Sequence, residues 1–119
     1  MLEQWVMDRL ELIEETPEVI EAYQKHVKAA EDFYTEQGSI ICDAIVMRLQ
    51  VLGENIKTIY KSTPGLFSNV DTEVISIIRF RDLISHHYEK LDTEIVLDIC
   101  THYVPTLRLQ IKELLKLYK

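Results

Sequence analysis

"SIICDAIVMRLQVLGENIKTIY", residues 39–60, decides the fold. Its apolar residues Ile41, Ala44, Ile45, Leu49, Leu52, Ile56 and Ile59 recur at three- and four-residue steps, the period of a helix that buries one face. Ser39 suits the N-cap, because its hydroxyl can accept from an otherwise unpaired amide of the first turn. Gly53 stands inside this helix at a cost of about 1 kcal/mol relative to alanine, which implies that another helix crosses closely there.

The pattern extends in both directions. Upstream, Leu2, Trp5, Val6, Leu10 and Ile13 mark an amphipathic helix, and Val19, Ile20, Tyr23 and Val27 carry the apolar face past Pro17. Thr16 followed by Pro17 reads as a cap and first helical residue, so either a second helix starts there or one long helix kinks. Downstream, "KSTPGLFSNVD" (61–71) is a loop broken by Pro64 and Gly65. Asp71 suits the cap of a helix with Val74, Ile77, Ile78 and Leu83 on its apolar face. Asp92 suits the cap of the last helix, with Ile95, Leu97, Ile99, Val104, Leu107, Ile111, Leu114 and Leu115 apolar and Pro105 bending it midway. The expectation is an all-α antiparallel bundle of four main helices, the first broken or kinked at Pro17, in a single domain over residues 1–119. Amphipathic helices in so small a bundle often bury a remaining stripe against a second copy, so a homodimer is expected.

Composition narrows the function. The 119 residues are 47% hydrophobic and 28% charged, enough for one core. No long uncharged apolar run occurs, and acids occupy the N-terminal stretch where a signal peptide needs a basic flank, so a cytoplasmic protein with no membrane association is expected. Cys42 and Cys100 lack C-x-x-C partners and read as buried thiols. The net charge of −7 argues against nucleic-acid binding through the overall field. Residues 1–38, with ten acids and three bases, carry all of that excess, which leaves room for a local basic groove in the neutral remainder.

The chemistry-bearing residues crowd into "RFRDLISHHY", residues 79–88. A helix running out near His87 or Tyr88 puts His86 near a C-terminus, where the dipole favours a protonated imidazole. Arg81 and His86, five residues apart, lie about 140° apart around a helix. They converge on one substrate only if the helix unwinds at His86 or a second subunit completes the site. The residue types suit phosphodiester chemistry: His86 to take a proton from a ribose 2′-hydroxyl, Arg81 to hold the non-bridging oxygens, and His87 or a second subunit's histidine to protonate the leaving oxygen. A capped helix end with solvated side chains explains the same residues. No metal or cofactor is indicated, since adjacent His86 and His87 face different ways and His26 and His102 are distant in sequence. Arg108, Lys112, Lys116 and Lys119 form a basic stripe on the last helix, either a solvated face or a hold on an RNA backbone.

"RFRDLISHHYEKLD" resembles the R-x-x-x-x-H-x-Y motif of the HepT-like toxins of the HEPN superfamily, which are partnered by minimal nucleotidyltransferase (MNT) antitoxins. "DAIVMRLQVLGENIKTI" is similar to the family's preceding helix, with Arg48, Leu49, Leu52, Gly53 and Glu54 in its core, and "LDTEIVLDICTHYVPTLRLQI" to its terminal helix. The three blocks span roughly residues 31–119 in order. The resemblance implies a homodimeric, metal-independent endoribonuclease toxin with Arg81 and His86 as the catalytic pair facing a second copy across a cleft. It also implies that a cognate MNT-type nucleotidyltransferase silences the toxin by attaching AMP to Tyr88. Asp82 departs from the asparagine usual after the motif arginine, and its charge can pair with Arg81 and weaken the hold on phosphate. Arg79 is a secondary motif arginine, and Arg48 and Glu54 either line the cleft or pair with neighbouring helices. A second reading follows from Asp82 and the acidic charge: a catalytically weak binding module that engages the nucleotidyltransferase and is AMPylated at Tyr88. A plain helical scaffold is a third.

Overall fold

The computed structural model describes residues 2–67, 71–87 and 92–118, with the backbone alone at 64, 71–74 and 85–87. The chain forms α1 (Gln4–Gln24), a 3-10 turn (Ala30–Tyr34), α2 (Glu36–Ser62), a second 3-10 turn (Pro64–Phe67) and α3 (Asp71–His87). It ends in α4 (Thr93–Asp98), a π-helical turn (Ile99–Tyr103) and α5 (Val104–Tyr118), which run on as one interrupted fourth helix. The fold is the expected all-α bundle of four main helices, and no strand occurs among the described residues.

α2 is central because its apolar face is the most complete. Ile45, Leu49, Leu52, Ile56 and Ile59 are all at most 1% exposed, against Leu10, Ile13 and Ile20 of α1, Ile77 and Ile84 of α3, and Leu107 and Ile111 of α5. Full burial of side chains of this size contributes about 1.5–3 kcal/mol each before entropy is counted. Phe67 closes one end of the core and stacks on Tyr60 with ring centroids 6.4 Å apart. On α3, Phe80 and Ile84 do the packing, and Leu83, expected on the apolar face, is exposed.

Three local expectations are corrected. Of the two readings at Pro17, a second helix starting there is overturned: α1 is one long helix, and Pro17 is buried within it. Pro17 has no N–H for the Ile13 carbonyl, and the preceding Thr16, expected as a cap, instead donates its hydroxyl to the Leu12 carbonyl at 2.8 Å. α2 begins at Glu36, four residues before the expected start, because the Thr35 hydroxyl accepts from the Gly38 amide at 2.9 Å. Gly38 is needed at this entry, since a Cβ there would run into the backbone of Asp32. The last helix changes period ahead of Pro105 rather than simply bending at it. Val104 N–H donates to the Ile99 carbonyl in a π-type bond, just before the residue that lacks a donor. Asp92 caps α4 as expected, accepting from the Glu94 amide at 2.9 Å. Asp71 is the first residue of α3, and its expected capping side chain lies outside the described residues.

Candidate active site

α3 crosses α2 at Gly53, where a helix crossing was expected. A Cβ on Gly53 would lie 2.5 Å from the Arg81 Cβ, so only glycine lets the Arg81 stem lie across α2. Four charged side chains meet at this crossing: Glu54 and Lys57 from α2, and Arg81 and Asp82 from α3. Arg81 Nη2 is ion-paired with Glu54, and Arg81 Nη1 donates to Asp82 Oδ1 at 3.0 Å. Lys57 Nζ donates to the same Asp82 Oδ1 at 3.2 Å. All four remain partly open to solvent, from 23% for Arg81 to 52% for Glu54, so the cluster is reachable from outside.

The electrostatics follow from these contacts. The bonds from Arg81 and then Lys57 hold the Asp82 carboxyl below the usual carboxylate range, outweighing its partial burial. Asp82 and Glu54 in turn push the Arg81 guanidinium further up. The cluster thus pairs two basic with two acidic side chains, a formal sum of zero. Guanidinium and ammonium groups aimed at one oxygen can hold a phosphoryl oxygen by charge-assisted bonds.

The expected residues distribute unevenly. Arg81, Asp82 and Glu54 are brought together, and the anticipated Arg81–Asp82 pairing is present. Arg79 is exposed on another face of α3, beside Ser76, Leu83, Ile95, Asp98 and Tyr103, and is separate from the cluster. Arg48 is exposed on α2 about 120° around the helix from Glu54 and takes no part in it. The backbone at His86 and His87 is the last turn of α3, but their side chains and that of Ser85 lie outside the described residues, as does all of Tyr88. The helix does not unwind at His86, which removes one of the two ways for Arg81 and His86 to converge within the expected chemistry.

Lys57 was missed by the sequence reading. Its signal was there: it follows Gly53 by four residues and Glu54 by three, hence shares the face that meets α3. In the basic stripe on α5, Lys112 and Lys116 are exposed, as a solvated face requires, and Arg108 is partly covered. Arg108 bonds Glu21 at 3.0 Å and stands 4.0 Å from Glu18, tying α5 to α1 beside a cleft of about 500 Å³. Lys112 and Lys116 line a hollow with Glu14, and Lys119 lies outside the described residues. Cys100 is buried, which pushes its thiol up to about 12, and the half-buried Cys42 thiol is also raised, so neither is poised as a thiolate nucleophile. No described helix is long and apolar enough to cross a membrane.

A family model described as ribonuclease HepT-like matches residues 13–114, from the middle of α1 to the last turns of α5, with the α2–α3 crossing inside the match. No curated protein and no solved structure matches the chain. A match over most of the chain, in an all-α bundle, places this protein in the HepT-like ribonuclease family.

Proposed function

We propose that the chain is a toxin of the HEPN/MNT type: a metal-independent endoribonuclease acting as a homodimer, with Arg81 and His86 as the catalytic pair. Arg81 holds the non-bridging oxygens of the scissile phosphate as charge builds on them, and His86 takes the proton from the ribose 2′-hydroxyl. His87 or the second copy's histidine protonates the leaving oxygen. A cognate MNT-type nucleotidyltransferase silences the site by attaching AMP to Tyr88, which sets a phosphate and an adenosine two residues from His86 and blocks RNA entry.

The observation that carries this reading is Arg81, fixed over Gly53 at the crossing and still open to solvent, within a chain of the HepT-like ribonuclease family. α3 stays helical through His87, which holds Arg81 and His86 about 140° apart. That separation supports a site completed by a second copy.

The experiment is RNA cleavage in EDTA by wild type, Arg81→Ala and His86→Ala proteins, and by an equal mixture of the two variants. Loss in each variant with partial recovery in the mixture is expected, because a mixed dimer regains one composite site. Cleavage that survives both substitutions overturns the assignment.

The second reading, a weak binding module modified at Tyr88, is favoured by the carboxylates of Glu54 and Asp82 on both branches of the Arg81 fork. No cleavage by unmodified wild type, together with AMP transfer to Tyr88 by the nucleotidyltransferase, would establish it.

A further inference from the structure

Two cationic donors from different helices converge on one oxygen atom. Arg81 Nη1 at 3.0 Å and Lys57 Nζ at 3.2 Å both point to Asp82 Oδ1, so they flank a space filled by a single anionic oxygen. We propose that Lys57 is a second phosphate-binding residue beside Arg81, and that the Asp82 carboxylate occupies the place of a phosphate oxygen until a phosphodiester displaces it. The inference rests on the reading of Arg81 as the group that holds the scissile phosphate.

The exchange is balanced in charge. A carboxylate and a phosphodiester are both monoanions, so when one replaces the other between Arg81 and Lys57 the cluster keeps its net charge of zero. Arg81 also keeps its orientation through the exchange, since its Nη2 stays ion-paired with Glu54 while Nη1 exchanges Asp82 for the phosphate oxygen. The displaced Asp82 side chain is already 42% exposed and moves into water, where its charge is solvated. Lys57 is anchored on the face of α2 that meets α3, four residues from Gly53, so its ammonium is set against α3 by the crossing itself. A carboxylate in the resting site thus screens out weakly held anions and leaves entry to a polyanion that makes further contacts.

The test uses an RNA oligonucleotide with 2′-O-methyl groups, which lacks the attacking hydroxyl and stays intact, with binding read by fluorescence anisotropy. Asp82→Asn is expected to tighten binding about tenfold, as the competing charge is removed. In that background Lys57→Gln is expected to weaken it by about tenfold or more, and Lys57→Arg to restore it. Thermal melts accompany each variant, and the arginine variant separates loss of a cation from loss of the fold. Binding that Asp82→Asn leaves unchanged, or that Lys57→Gln leaves unchanged in the asparagine background, overturns the proposal. If binding responds as expected while no form cleaves unmodified RNA, the ribonuclease reading fails and the phosphate site stands. If cleavage depends on Arg81 and His86 while binding ignores Lys57, this proposal alone fails.

Discussion

Gly53 and Arg81 touch across α2 and α3: a methyl group on Gly53 would sit 2.5 Å from the Arg81 Cβ and 3.2 Å from the Ile77 carbonyl oxygen. Alanine at this position gains helix propensity of about 1 kcal/mol. It must also push α3 away, and overpacking of this kind costs about 1–3 kcal/mol. Gly53→Ala is therefore expected to lower the melting temperature and to cut RNA cleavage more than stability alone accounts for, because Arg81 moves. A variant as stable and as active as wild type would show that the crossing tolerates a side chain.

Thr35→Ala and Ser39→Ala separate the two candidate starts of α2. The Thr35 hydroxyl holds the Gly38 amide, so its removal is expected to cost about 1 kcal/mol. Ser39 is an exposed residue inside the helix, and its replacement by the best helix former is expected to be neutral or slightly stabilising. Urea denaturation of the two variants checks this, and the reverse ranking would return the cap to Ser39.

Phe67→Ala is expected to cost about 3–5 kcal/mol, the range for emptying a buried aromatic site. Phe67 is fully buried, though it belongs to a four-residue turn rather than to a main helix. Chemical denaturation measures the loss, and a cost under 1 kcal/mol would mean that the turn is dispensable to the core.

Acid should destabilise the protein through at least two carboxylates. Asp82 is held below the usual range by Arg81 and Lys57, and Asp32 by the amides of Lys28 and Ala29, which donate to it at 2.8 and 3.0 Å. A carboxyl lowered in the folded state stabilises in full above its unfolded value, about 3.9, and loses that contribution as pH falls through the lower folded value. Melting temperature is thus expected to fall from about pH 4 downwards, with a shallower fall in the Asp32→Asn/Asp82→Asn double variant. An unchanged acid limb in that variant would assign the loss to other groups.

The sequence made the helices legible where burial is one-sided, and failed where a local contact overrides the period. α2 reads from its own apolar residues, and Gly53 reads as a crossing because glycine is disfavoured inside a buried face. The start of α2 at Thr35 is not legible from the apolar period, because residues 36–39 carry no apolar side chain and the Thr35 cap shows only in its bond from the Gly38 amide. The π-helical turn at 99–103 leaves no mark on a three-four pattern, whereas Pro105 shows only that something must change nearby. At the site, Arg81, Asp82 and Glu54 were found, but Lys57 was not. The dense stretch 79–88 marks itself in the sequence, while the fourth charge comes from a helix that meets it only after folding. His86 and Tyr88 are read from residue chemistry and from the resemblance of 81–88 to the R-x-x-x-x-H-x-Y motif.

The central place of α2 has a kinetic consequence. Its main partners, α1 and α3, are its neighbours along the chain, and the pairing of α1 with α5 is the principal distant closure. Contacts this local make the entropy of loop closure small, so folding on the order of microseconds to milliseconds is expected, with α1 to α3 assembling around α2 before α5 docks. Substitutions at Leu52 or Ile56 should then slow folding, whereas those at Leu107 or Ile111 should mainly speed unfolding.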